Sequence, residues 1–322
     1  VILKVDRLAA ALADRYRLQH PTSMRVLRLL IPALSLVACG GPASVTASPG
    51  VLVLPDSTTV LDAGSGAPVS TAELVRRTRS ADLVLLGEIH DNPAHHEARG
   101  ALLEANAARK PAVVFEQLAW TGGPTAPPAA GESEEAWLDA HGFDRKSWKW
   151  PLHKPVVDAA LAVAASLWGS NLPRETLRPV VREGVSAGPP ELARLATEVP
   201  LDSVARAAID QELFEGHCGK LPAEMVPGMR AAQEVRDAAM TEAMLGASRG
   251  GPAWLIAGDG HVRMDMGVPR LLRRLAPEKQ LLVVGFVERG TEEAKPGPSA
   301  ARRYQILVVT PPAAREDPCA GL

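Results

Sequence analysis

Apolar residues in this chain gather in short runs, each followed by a cluster of polar groups and then a helical pattern. Leu83 to Leu86 is one such run, continuous and bounded, as in a parallel strand covered on both faces. It leads into Gly87-Glu88-Ile89-His90-Asp91-Asn92-Pro93, where Asn92 suits an N-cap and Pro93 the first helical position. The pattern predicts a strand at 82–87 and a helix from 93 to about 109. Pro111 to Gln117 predicts a second strand, again ending in a carboxylate, Glu116. If the two are neighbours in a βαβ unit, Glu116 lies beside Glu88 and His90.

The same unit recurs. Glu134 to Ala140 reads as a short helix, 155–165 as another, and Ser166 to Asn171 as a short strand with Asn171 and Arg174 at its carboxyl end. Residues 175–250 read as mostly helical, with helices near 191–197, 202–214 and 229–247. Pro252 to His261 repeats the strand-then-turn logic and puts His261 just past the strand. A helix near 266–275 and strands near 280–288 and 303–310 follow, and the last two could pair as a hairpin. The expected fold is α/β, a mainly parallel sheet flanked by helices, with a helical insertion at about 120–225.

The N-terminal stretch belongs to another class. Met24 to Arg28 is a basic segment, Leu29 to Ala38 a short apolar one, and Leu36-Val37-Ala38-Cys39 fits a lipoprotein cleavage box. Residues 1–38 are therefore read as upstream residues and a signal peptide with its start at Met24, and Cys39 as the lipidated residue. Residues 39–58 read as a flexible tether and 59–322 as one domain. With two membranes in the cell, the outer one is the expected site, since Gly40 carries no acidic retention signal.

Composition narrows the partners. The whole chain has a net charge of −2, which becomes about −6 once residues 1–38 are removed. An acidic body with no Lys/Arg cluster argues against nucleic acid. Export makes a disulfide between the remaining cysteines, Cys218 and Cys319, the expected pairing.

Open α/β sheets bind ligands outside the carboxyl ends of their strands. Those ends supply Glu88, His90, Glu116 and His261, with Asn171, Arg174 and Arg236 as neighbours and His95 and His96 in support. Two imidazoles and two carboxylates can hold a divalent transition metal, run acid–base chemistry, or offer a histidine to haem iron. Spacing does not choose among the three. Gly-x-Gly-x-x-Gly and Walker-type patterns are missing, so dinucleotide and nucleotide readings lose most of their support.

Gly87-Glu88-Ile89-His90-Asp91-Asn92-Pro93 with His96, Asn171-Leu172-Pro173-Arg174, His217-Cys218-Gly219, Ala232-Gln233 with Arg236-Asp237 and Met240, and Gly258-Asp259-Gly260-His261 together resemble the ChaN-like haem-binding lipoproteins. The resemblance runs from about residue 70 onward. It implies haem binding and iron uptake at a bacterial surface, with His90, His96, Asn171, Arg174, Arg236 and His261 as ligand-facing residues and a homodimer as a possible form. It extends to the Tiki metalloproteases and erythromycin esterases, which implies Glu88, His90, Glu116 and His261 as metal-binding or catalytic residues of an ester or peptide hydrolase. The family's haem binding is associated with a Tyr ligand. Tyr304 is the sole tyrosine after the signal, so a histidine would have to substitute.

Overall fold

The computed structural model describes residues 50–316 and 319–320. Met24, the cleavage box and Cys39 lie outside the described residues. Eight strands form one sheet: β1 (Thr59–Asp62), β2 (Leu83–Glu88), β3 (Ala112–Ala119), β4 (Pro124–Thr125), β5 (Ser166–Asn171), β6 (Ala253–Gly258), β7 (Leu281–Glu288) and β8 (Ile306–Thr310). Their order is β1-β8-β7-β2-β6-β3-β5-β4. The six inner strands run parallel, and β1 and β4 close the two edges antiparallel.

The helices are α1 (Thr71–Ser80), α2 (Pro93–Ala105), α3 (Glu134–Ala140), α4 (Lys154–Val163), α5 (Arg174–Glu183), α6 (Pro190–Ala196), α7 (Ser203–Gly216), α8 (Val226–Ala247), α9 (Asp259–Val262), α10 (Val268–Leu275) and α11 (Pro298–Arg303). Local signals start them where expected. Ser70 accepts from Glu73 N–H to open α1, and Asn92 accepts from Ala94 N–H ahead of Pro93 to open α2.

Alternation along the strands splits the core into two layers. Val84, Leu86, Val113, Phe115, Trp254 and Ile256 pack on one face against Ala98 and Leu102 of α2 and Val156 of α4. Leu83, Leu85, Val114, Leu255 and Ala257 pack on the other against Met240 and Met244 of α8 and Leu272 of α10.

Four expectations change. First, β2 and β3 are not neighbours; β6 lies between them, with Ala253 level with both Leu83 and Ala112. A chain-local pattern cannot show a strand inserted from far downstream. Second, β7 and β8 are parallel, joined through α11, and do not form a hairpin. Third, the stretch at 120–225 is not set apart from the sheet: the strand expected at 166–171 is β5, which pairs with β3, and β4 pairs with β5. Fourth, the expected tether is shorter than 39–58: Leu52 is buried in the core, and Ser57 O accepts from Arg289. The strand β1, which had no strong pattern, is a short edge held by β8.

Cys218 and Cys319 form the expected disulfide, with Cα atoms 5.6 Å apart and a sequence separation of 101. Closing so long a loop removes much denatured-state entropy, so Cys218→Ser is expected to cost about 2–5 kcal/mol. Urea unfolding of the variant, and of the wild type with and without reductant, measures it; equal midpoints would refute it.

Candidate functional site

Register places the site. Phe115 is level with Ile256, and Leu86 is level with Ile256 from the other side. Glu88 and Glu116 therefore reach the carboxyl edge on either side of Gly258. Alternation sends them to opposite faces of the sheet: Glu88 toward α2 and α4, Glu116 toward α8 and α9. His90, just past β2, connects the two halves over the strand ends.

The α2 half is centred on Glu88, whose side chain is fully buried. One carboxylate oxygen accepts from Arg99 Nη2 and lies 3.0 Å from His96 Nδ1. The other lies 3.1 Å from His90 Nδ1, 3.4 Å from Gln117 Nε2 and 3.5 Å from His153 Nε2. Burial pushes the Glu88 carboxyl up, but Arg99 and the three histidines outweigh it and hold the group well below the usual range. His96 Nε2 lies 3.0 Å from the His90 carbonyl, which can only accept, so Nε2 carries the proton. Its Nδ1 lies between the Glu88 oxygen and Arg99 Nη2, which is 2.8 Å away.

The α8 half is centred on Glu116. It accepts from Gly258 N–H at 2.6 Å and faces His261 Nε2 at 3.6 Å. His261 Nδ1 is 2.6 Å from Asp237 Oδ1. Burial disfavours the charged imidazole of His261, but Glu116 and Asp237 override this and raise its pKa. Burial also raises Asp237, against the pull of His261. A cleft of about 130 Å³ opens here, lined by His261, Asp237, Gln233, Leu213 and Met266. Arg236 flanks it, half-buried and donating to Gln233 Oε1 at 3.2 Å. Among the described residues no carboxylate forms an ion pair with Arg236; Glu116 and Asp237 act on it at longer range.

His90 keeps 44% of its side chain exposed and meets Trp148 edge-on, with ring centroids 4.9 Å apart. Desolvation lowers its pKa, yet Glu116 and Glu88 together raise it to about 9. A Cβ on Gly258 would stand 2.7 Å from His90 Cε1 and Nε2. Gly258→Ala is therefore expected to push the ring off Glu116 while the fold stays intact. In an NMR titration the His90 pKa should then fall from about 9 toward the ordinary value; an unchanged titration would contradict this.

The structure thus pairs Glu88 with His90 and Glu116 with His261, and the charge of Glu116 acts on His90 across the strand ends. Asn171 and Arg174 stay outside it: Asn171 accepts from Trp120 N–H through its backbone, and Arg174 is exposed at the start of α5. His95 and His96 are fully buried. Sequence reasoning missed Arg99, Gln117 and His153. Arg99 sits three residues after His96 on one helical face, a spacing that could have shown it. His153 ends an aromatic stretch, and nothing local marked it. Among the described residues, the group whose ligand atoms lie within 4.8 Å of one another is Glu88, His96 and His153, not the expected pairing of His90 with His261. Arg99 already neutralises that group.

Residues 74–272 match the family described as haem-binding uptake, Tiki superfamily, ChaN. The chain belongs to this ChaN family. A solved structure described as "Cofacial heme binding to ChaN of Campylobacter jejuni" superposes with a TM-score of 0.60 at 17% identity, covering 80% of this chain and 98% of that one. At that identity the likeness establishes a shared ChaN fold. "The structure of the type III effector HopBA1" matches with a TM-score of 0.37 at 15% identity, over 74% of this chain and 92% of that one. No curated protein matches the chain. Tyr304 is placed where it cannot act as a ligand in this ChaN family member, in line with the expectation that a histidine would substitute. Tyr304 is fully buried, and its hydroxyl donates to Asp259 at 2.6 Å.

Proposed function

We propose that this ChaN family member binds haem at the carboxyl edge of its sheet through His90, and that it serves haem or iron uptake from a lipid anchor at Cys39. The observation that carries the reading is His90 itself: a half-exposed imidazole with the buried Glu88 carboxylate behind its Nδ1. A carboxylate behind a ligating histidine fixes the ring and raises its basicity. Haem bound here would supply an iron centre that takes one imidazole. The donor chemistry fits a histidine ligand and not a tyrosine. Drug-sized ligands occupy pockets of roughly 300–1,000 Å³, so a haem cannot enter the 130 Å³ cleft. It would lie against the surface with one face open. A cofacial arrangement, as named for the Campylobacter jejuni protein, would cover that face in a homodimer.

Ligation requires His90 to shed the proton that Glu116 and Glu88 hold on it. Haemin affinity should therefore rise with pH up to about 9. The test is a haemin titration of residues 40–322 beside His90→Ala. A saturable Soret shift in the first and its loss in the second is the expected result; no saturable shift in the wild type ends the reading. Radiolabelled palmitate incorporation, with Cys39→Ser as control, tests the anchor.

The His261–Asp237 pair gives a second reading some ground. An imidazole oriented by a buried carboxylate and facing Glu116 across a cleft is the arrangement of an acid–base hydrolase. An ester and peptide panel with metal analysis tests it, and activity surviving both His90→Ala and His261→Ala would remove it.

A further inference from the structure

A second cavity, of about 230 Å³, lies at the ends of β2 and β7, lined by Ile89, Phe286, Asp259, Arg263 and Arg303. Glu212 of α7 lines both this cavity and the 130 Å³ cleft at His261. Its carboxylate accepts from Arg263 Nη1, which lines the second cavity.

The two partners of that pair are held very differently. The Arg263 side chain is 4% exposed and is fixed independently by Asp265, at 3.0 Å to Nε and 2.7 Å to Nη2. The Glu212 side chain is 44% exposed and free to turn into solvent. Arg303 also lines the cavity and pairs with an exposed carboxylate. Its side chain is 24% exposed, and its partner Glu293, 3.5 Å away, is 45% exposed. Asp265 holds the Arg263 guanidinium in place, and both exposed carboxylates can leave. Asp259 also faces the cavity, but its oxygens are engaged by the Tyr304 hydroxyl.

We propose that Arg263 and Arg303 form a subsite for the anionic end of a ligand, a carboxylate or a phosphate, and that Glu212 is its internal placeholder. A ligand anion takes the Glu212 position on Arg263. Displaced Glu212 moves to water, and the two cavities join into one groove of roughly the size that small-molecule ligands occupy. The ligand then runs from Arg263 to His261 along the strand ends. Charge-assisted pairing to a planar guanidinium suits either anion. The subsite does not depend on haem binding at His90.

Calorimetry with succinate and inorganic phosphate on the wild type, Glu212→Ala and Glu212→Ala/Arg303→Gln tests the subsite. Removing the internal competitor should tighten one anion by about tenfold, and Arg303→Gln should abolish the gain. A larger gain for succinate identifies a carboxylate ligand; a larger gain for phosphate identifies a phosphorylated one. No gain for either anion, or a gain that survives Arg303→Gln, overturns the proposal. Joining of the cavities is read from the His261 imidazole resonances in Glu212→Ala. Suberate, an eight-carbon dicarboxylate, should shift them and acetate should not; resonances unmoved by suberate refute the joined groove.

Discussion

Arg99→Met is expected to destabilise the protein by about 3–5 kcal/mol, because it leaves a buried carboxylate without its charge partner. Glu88 and Arg99 both have fully buried side chains. Burial pulls the Arg99 pKa down even as Glu88 and Glu116 support its charge. Without the guanidinium, the Glu88 carboxylate keeps only histidine and amide donors among the described residues. In a domain of this size each kcal/mol moves the melting temperature by about 2–4 °C, so calorimetry resolves the effect. The double variant Glu88→Gln/Arg99→Met removes the charge as well as its partner and should recover part of the loss. If Arg99→Met costs less than about 1 kcal/mol, the pair is not the electrostatic centre of the α2 half.

Acid should destabilise the fold early, and His95 should account for much of the effect. His95 is fully buried; it accepts from Ile89 N–H at 3.1 Å on Nδ1 and meets Thr310 Oγ1 at 3.0 Å on Nε2. Both ring nitrogens are engaged in the neutral form. Burial first, and then the Arg99 charge, lower its pKa to about 3, against the opposing pull of Glu88 and Glu288. Unfolded, the ring protonates near its ordinary value of about 6.5. Between those values the unfolded chain binds the extra proton, so stability falls as pH drops from about 6.5 toward 3. Each unit of separation is worth about 1.4 kcal/mol, which makes the total several kcal/mol. His90 has the opposite sign: its contribution is full below about 6.5 and is lost as pH rises through 9. Urea midpoints from pH 7 to 4 should fall steeply in the wild type and less steeply in His95→Gln. Equal slopes would count against a neutral His95.

The strand ends were legible because their chemistry is local. Leu83–Leu86 with Gly87, Asn92-Pro93 and Ala253–Gly258 each show their element in a few residues, and Glu88, Glu116 and His261 follow at once. Ser166–Asn171 and Glu134–Ala140 appear within the predicted bounds for the same reason. Sheet order was not legible, because hydrophobic runs say that a strand is buried, not which strand lies beside it. The same limit hid His153, which reaches Glu88 across the sheet-end gap from an aromatic loop. It also hid the role of Tyr304, which sits at the C-cap of α11 and not in a strand, its hydroxyl on Asp259. Among the described residues Arg236 has only Gln233 as a hydrogen-bond acceptor, because Asp237 is engaged by His261 and Glu116 by Gly258.

The insertion of β6 between β2 and β3 also sets an order of assembly. Residues 83–119 leave the ribosome long before 253–261, yet neither early strand has its shared neighbour until the later segment arrives. Gly258 N–H and His261, the partners of Glu116, come with that segment. Such long-range closure is slow and comes late in folding. A nascent or truncated chain ending before β6 therefore carries Glu88, His90 and Glu116 without the Gly258 and His261 partners that complete the α8 half of the site.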